Sequence, residues 1–128
     1  MEKYGYTRVV DTSFLEAVDD ITFSLQEQWF WVMTRIDMQS KLKEKLGRDI
    51  EEYMILWACN PELASESLDL EYEIGLLLPC NVIIYKKGEK TYISWIVPSV
   101  AMNILDNKNL WDVASKAEEK IKAAIDNM

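Results

Sequence analysis

The chain has no histidine, and its 128 residues include only two cysteines, three prolines and four glycines. Without imidazole, a serine or cysteine nucleophile lacks its usual base, and metal binding is left to thiols and carboxylates. Two thiols are too few for a four-ligand zinc site within one chain, so neither a metal nor another cofactor is expected. Long hydrophobic runs are missing as well. Nothing approaches the ~20 apolar residues of a membrane span, and Met1-Glu2-Lys3-Tyr4 lacks the apolar core of a signal peptide. A cytoplasmic protein is expected, with no membrane partner and with both cysteines kept as thiols in reducing surroundings. Basic residues are outnumbered 22 to 14 by acidic ones, for a net charge of −8. Non-specific nucleic-acid affinity comes chiefly from Lys and Arg displacing counterions, so nucleic acid is excluded as a partner.

What is present is enough apolar material, 49% of residues, for one domain with a real core and too little chain for two. Residues 1–128 read as one unit without repeat, linker or low-complexity tract. Tyr6 to Val10 reads as a first strand, closed by Asp11-Thr12-Ser13. Ser13 with Glu16 three positions on is a capping box, and Phe14, Ala17, Val18, Ile21 and Leu25 recur at helical spacing. Phe30, Val32, Thr34 and Ile36 alternate with Trp31, Met33 and Arg35, a second strand expected to turn Phe30, Val32 and Ile36 inward. Met38, Leu42 and Leu46 describe a short helix stopped by Gly47.

Tyr53 to Cys59 is almost continuously apolar and reads as a third strand buried on most of its surface. Asn60-Pro61 starts a helix to about Leu70, with Leu63, Ala64, Ser67 and Leu68 as its packing stripe. After Pro79, Cys80 to Tyr85 and Tyr92 to Val97 form two strands joined by the polar turn Lys86-Lys87-Gly88-Glu89-Lys90. A short helix from Ser99 to about Leu105 leads to a last amphipathic helix carrying Leu110, Val113, Ala114, Ala117, Ile121, Ala124 and Ile125. Strand, helix, four strands and helix, with short helices before the third and fourth strands, make an α+β fold with a largely antiparallel sheet. Phe14, Ile21, Val32, Ile55, Leu77, Ile83, Ile93 and Ile121 are its expected core.

Ile36-Asp37, Leu42-Lys43-Glu44-Lys45-Leu46-Gly47, Ala58-Cys59-Asn60-Pro61-Glu62-Leu63-Ala64 and Ile74-Gly75-Leu76-Leu77-Leu78-Pro79-Cys80-Asn81-Val82 carry a resemblance through nearly the whole chain. They resemble the family catalogued as domain of unknown function 302. The resemblance implies a single copy of the fold of the TATA-binding-protein class, commonly a homodimer, with no established catalytic residue. This fold class does not by itself imply DNA binding, because function follows the site. The chain departs from the family pattern at Val97, where an aspartate is expected before Pro98. It also departs near Trp29, Trp31 and Trp57, where small residues, usually glycine, are expected. Three indoles there would fill a cleft or build an aromatic wall.

Both cysteines fall in Cys-Asn dipeptides beside prolines at the rims of apolar runs, which places them at strand ends, where folds often expose working groups. Cys59 stands before a helix amino terminus whose partial positive charge would favour thiolate. Equally, a free cysteine is ordinarily a small buried hydrophobe. Were the third and fourth strands neighbours, Cys59 and Cys80 would come together without a disulfide or a metal. Asn60 either caps its helix or, like Asn81, offers an amide to a ligand. Asp37, with Arg35, flanks the second strand, and Trp57 belongs to an aromatic set suited to a core or an interface.

Cys59, Asn60, Cys80, Asn81, Trp57 and Asp37 are therefore the candidate ligand-binding residues. The leading reading is a non-catalytic homodimeric module that binds a small apolar ligand or a partner. The competing reading is a thiol-based redox or sulfur-handling protein using Cys59 and Cys80. A two-fold dimer is also expected because the chain has more large aromatics than a small core readily buries.

Overall fold

The computed structural model describes residues 4–77, 80–97 and 107–128, with Cys80 described by its backbone alone. In chain order the elements are β1 (Gly5–Val10), α1 (Phe14–Glu27), β2 (Trp31–Asp37), α2 (Met38–Leu46), β3 (Tyr53–Cys59), α3 (Pro61–Leu70), a 3-10 segment (Tyr72–Leu76), β4 (Cys80–Lys87), β5 (Lys90–Ile96) and α4 (Asn109–Asp126). The short helix expected over 99–105 lies outside the described residues. The five strands form one antiparallel sheet in the order β1-β5-β4-β3-β2. With helices segregated to one face, this is an α+β fold.

Side-chain caps start three of the helices. Ser13 Oγ accepts from Glu16 N at 3.2 Å, Asp37 Oδ1 from Ser40 N at 3.0 Å and Asn60 Oδ1 from Leu63 N at 3.1 Å. Each cap satisfies a backbone donor that has no partner inside its own helix. Gly47 ends α2 in the left-handed region, φ 64, where a residue without Cβ meets no steric penalty.

The core forms where one side of the sheet meets α1 and α4. Leu56, Ala58, Val82, Ile84, Ile93 and Trp95 bury themselves against Ala17, Val18, Ile21 and Leu25 of α1 and Ala117, Ile121 and Ile125 of α4. Each large side chain here contributes about 1.5–3 kcal/mol by leaving water. Ser24 Oγ donates to the Ala124 carbonyl and ties the two helices together. Arg8 Nη1 donates to the Ile125 carbonyl, setting a cation at the negative end of α4. Of the expected core, Phe14, Ile21, Ile93 and Ile121 are buried, whereas Val32, Ile55, Leu77 and Ile83 are half-buried.

Four local expectations are corrected. Ile36 does not turn inward: it is 38% exposed, because the register between β2 and β3 shifts between Val32 and Thr34. A bulge of this kind adds one residue to one strand and exchanges the sides of all that follow. Ile36 therefore pairs with Ile55 on the uncovered side. β3 is buried on one side only, through Leu56 and Ala58, while Trp57 is exposed. In α2 no residue is fully buried, and Leu46 points to solvent; in α3, Leu68 is exposed while Leu63 and Ser67 carry the packing.

Candidate functional site

Among the described residues, the side of the sheet away from α1 and α4 carries only half-buried and exposed side chains. Strict alternation puts Tyr53, Ile55, Trp57 and Cys59 of β3 there, because Leu56 and Ala58 occupy the buried side. Ladder pairing extends the set across the sheet in rows. At one end Thr34, Trp57 and Asn81 form a row across β2, β3 and β4, with Ile96 paired to Gly5 on β5 and β1; the next row reads Ile36, Ile55, Ile83, Ser94 and Thr7. A third joins Tyr53, Tyr85, Tyr92 and Val9. None of these positions is charged, although charged residues make up 28% of the chain.

The rows are held by side-chain contacts. The Tyr85 ring stacks on Tyr53 at 5.7 Å and on Tyr92 at 5.0 Å, with interplanar angles of 17° and 7°. Cross-strand aromatic pairs of this kind are each worth about 0.2–1 kcal/mol and help fix the register of β3, β4 and β5. Thr7 and Ser94 share a hydroxyl hydrogen bond of 2.8 Å between β1 and β5. The Gly5 position is tight, since a Cβ there would come within 3.3 Å of Ser94 Oγ.

At one end of this surface, Tyr4, Gly5, Asn81, Ile83, Ser94, Trp95 and Ile96 line a shallow, mainly apolar cavity of about 200 Å³. That is below the ~300 Å³ at which drug-sized ligands begin to fit, so it suits a small group rather than an enclosed cofactor. Trp31 pairs with Cys59 at the same end of the sheet, and Trp57 pairs with Asn81. The Trp29 ring meets Trp31 edge-to-face, with centroids 6.4 Å apart.

Of the six residues singled out from the sequence, Trp57, Cys59 and Asn81 thus share one end of the open face. The backbone of Cys80 pairs with Ala58, one step along the ladder from Cys59, so β3 and β4 do bring the two Cys-Asn dipeptides together. Asn60 is buried, with its side-chain oxygen engaged in capping α3. Asp37 caps α2 at the far end of β2, six residues and about 20 Å of strand from Trp31. Arg35 turns to α1, where Nη2 donates to Thr22 Oγ1 at 3.4 Å.

Of the two readings of Cys59, the small half-buried thiol is the one its surroundings favour. Burial pushes its thiol above the ordinary value, the reverse of thiolate stabilisation. Cys59 is the last residue of β3, and the amino terminus of α3 that follows is capped by Asn60. Among the described residues, no group of three or more His, Cys, Asp or Glu side chains could hold a metal ion. Nor, among them, is any helix long and apolar enough to cross a membrane.

The tyrosine row and the Trp29–Trp31 corner were not among the six. Their signal lies in the sequence as alternation, Tyr53/Ile55/Trp57 and Tyr92/Ser94/Ile96, but alternation does not say which set stays uncovered. The family model described as Domain of unknown function DUF302 matches residues 6–128. A crystal structure described as an uncharacterized conserved protein DUF302 from Bacillus stearothermophilus is similar to this chain. Its TM-score is 0.92 at 28% identity, over 97% of each chain. No curated protein matches the chain.

Proposed function

We propose, from the premise that this chain belongs to the DUF302 family, that it is a binding or interaction module whose working surface is the open sheet face, and that two copies associate through it. The observation that carries this reading is the absence of charge from the three central rows of that face in a chain of net charge −8. Surfaces exposed to water throughout are normally interrupted by charge, and contiguous apolar patches mark interaction sites. A two-fold contact sets the same patch against itself, which an uncharged patch permits and a strongly acidic one opposes. The element order supports the single-copy topology of the TATA-binding-protein class. Acidic composition argues against nucleic acid on the same face.

The shallow cavity beside Asn81 and Ser94 gives the module a place for a small apolar group, with an amide and a hydroxyl at its rim to orient it. Light scattering across micromolar concentrations is expected to return twice the chain mass of 14.9 kDa. Ile83→Asp, which sets a carboxylate in the middle row, is expected to return the monomer mass with the circular dichroism spectrum unchanged. A wild-type monomer throughout that range overturns the association.

A further inference from the structure

Trp29 is the only residue other than glycine with positive φ among the described residues, at φ 64. The cause is local. α1 ends in a Schellman arrangement in which Trp29 N donates to the Gln26 carbonyl and Phe30 N to the Leu25 carbonyl, both at 2.9 Å. The hydrophobic contact that accompanies this motif is supplied by Phe30 and Leu25, both buried. The left-handed residue of the motif is ordinarily glycine, and α2 ends with Gly47 at the same φ of 64. A side chain as large as tryptophan at that position is strained.

Burial of Leu25 and Phe30 on either side holds that conformation, and burial of the Trp29 ring itself does not. The Trp29 side chain is two-thirds exposed, and its ring partner Trp31 is itself 40% exposed. The backbone nevertheless aims the Trp29 ring at the corner of the open face, where Trp31 pairs with Cys59 and Trp57 follows on the same side of β3. Taking about 250 Å² for a whole indole, Trp29, Trp31 and Trp57 together present roughly 370 Å². That is close to half of the about 800 Å² per partner in a standard protein interface.

We propose that the Trp29 indole is an anchor of the contact between two copies of this chain, carrying the open face past its β2 edge, and that its left-handed backbone serves to present the ring there. The inference rests on the association proposed above and names the residue that dominates it. A second copy is the occupant because the three central rows of its matching face carry no charge, so two such faces meet without setting like charges of an acidic chain against each other. Tryptophan is the residue most often found to dominate such contacts.

The test compares Trp29→Gly with Trp29→Ala by sedimentation and by thermal unfolding. Both variants lose the ring, and each is expected to weaken self-association about 10- to 100-fold. They differ in backbone: at concentrations where all species are monomeric, Trp29→Gly is expected to melt a few degrees above wild type and above Trp29→Ala, because only glycine relieves the left-handed strain. If both variants associate as tightly as wild type while Ile83→Asp dissociates, the open face remains the interface and the role of Trp29 is overturned. If Trp29→Gly melts below wild type as a monomer, the ring is a structural residue of its own chain and the proposal fails. If wild type is itself monomeric, the association and this inference fall together.

Discussion

Ile83 and Ile84 are the same residue one position apart on β4, yet they meet different solvents. Ile84 is fully buried beneath α1, in the core cluster, while Ile83 is half-buried on the open face between Ile55 and Ser94. The two sides of the sheet are comparable in apolar content, so hydrophobicity alone does not explain which one is covered. The helices do. α1 and α4 each carry a single apolar stripe, and both stripes are used on the Ile84 side. A sheet needs a second layer for each face it buries, and the described helices supply one. The open face is thereby left to a partner, a ligand or water, and this makes it the surface on which function is proposed.

The contrast can be broken most directly by truncating both isoleucines. Ile84→Ala is expected to lower the unfolding free energy by about 2–5 kcal/mol, through lost burial and a cavity that neighbours close incompletely. Ile83→Ala is expected to cost less than about half as much in the monomer, since water fills the space its side chain leaves. Urea unfolding of dilute samples measures both, and equal losses would mean that the open face is covered within the chain.

A smaller effect is expected at Asn60. Its removal by Asn60→Ala should cost about 1–2 kcal/mol, because Leu63 N loses its acceptor in a buried setting. Urea unfolding should register that loss while the association constant stays unchanged. A change in association with unchanged stability would instead return Asn60 to the ligand-binding set.

The smallest expected effect is alkaline. Tyr6 is raised above the ordinary phenol value, first by its 2.7 Å hydrogen bond to Asp126 and then by burial and the charge of that carboxylate. Cys59 on the open face is raised by burial. Both groups hold their protons more tightly folded than unfolded. Their contribution is therefore complete below the unfolded-state values and is lost as pH rises through the folded ones. Urea midpoints should fall between pH 8 and pH 11, and Tyr6→Phe and Cys59→Ala should each flatten the fall. A midpoint that rises over this interval would contradict both directions.

Much of this was legible before any coordinates. The capping residues Ser13 and Asn60 stand three positions before the donors they satisfy, and the helical stripes of α1 and α4 repeat at a period that admits one reading. The candidate site was legible in part. Trp57, Cys59 and Asn81 could be picked out as chemistry-bearing residues, but Asp37 and Asn60 carry equally polar side chains that the fold spends on caps. A carboxylate or amide before a helix has the same sequence signature whether it ends up binding a backbone or a ligand.

The sequence by itself determined the five strands, the four described α-helices and their order, because backbone periodicity and capping act over a few residues, while the 3-10 segment Tyr72–Leu76 carried no such signal. Only the tertiary structure decided which side is open, because β3 is apolar on both and the choice belongs to helices that at their nearest lie 26 residues before it in α1 and 50 after it in α4. It alone decided that Ile36 joins the open side, since a bulge shows only when β2 is laid against β3. It also decided that Trp29 takes a glycine's backbone: tryptophan has no local preference for positive φ, and the burial of Leu25 and Phe30 on either side holds it there.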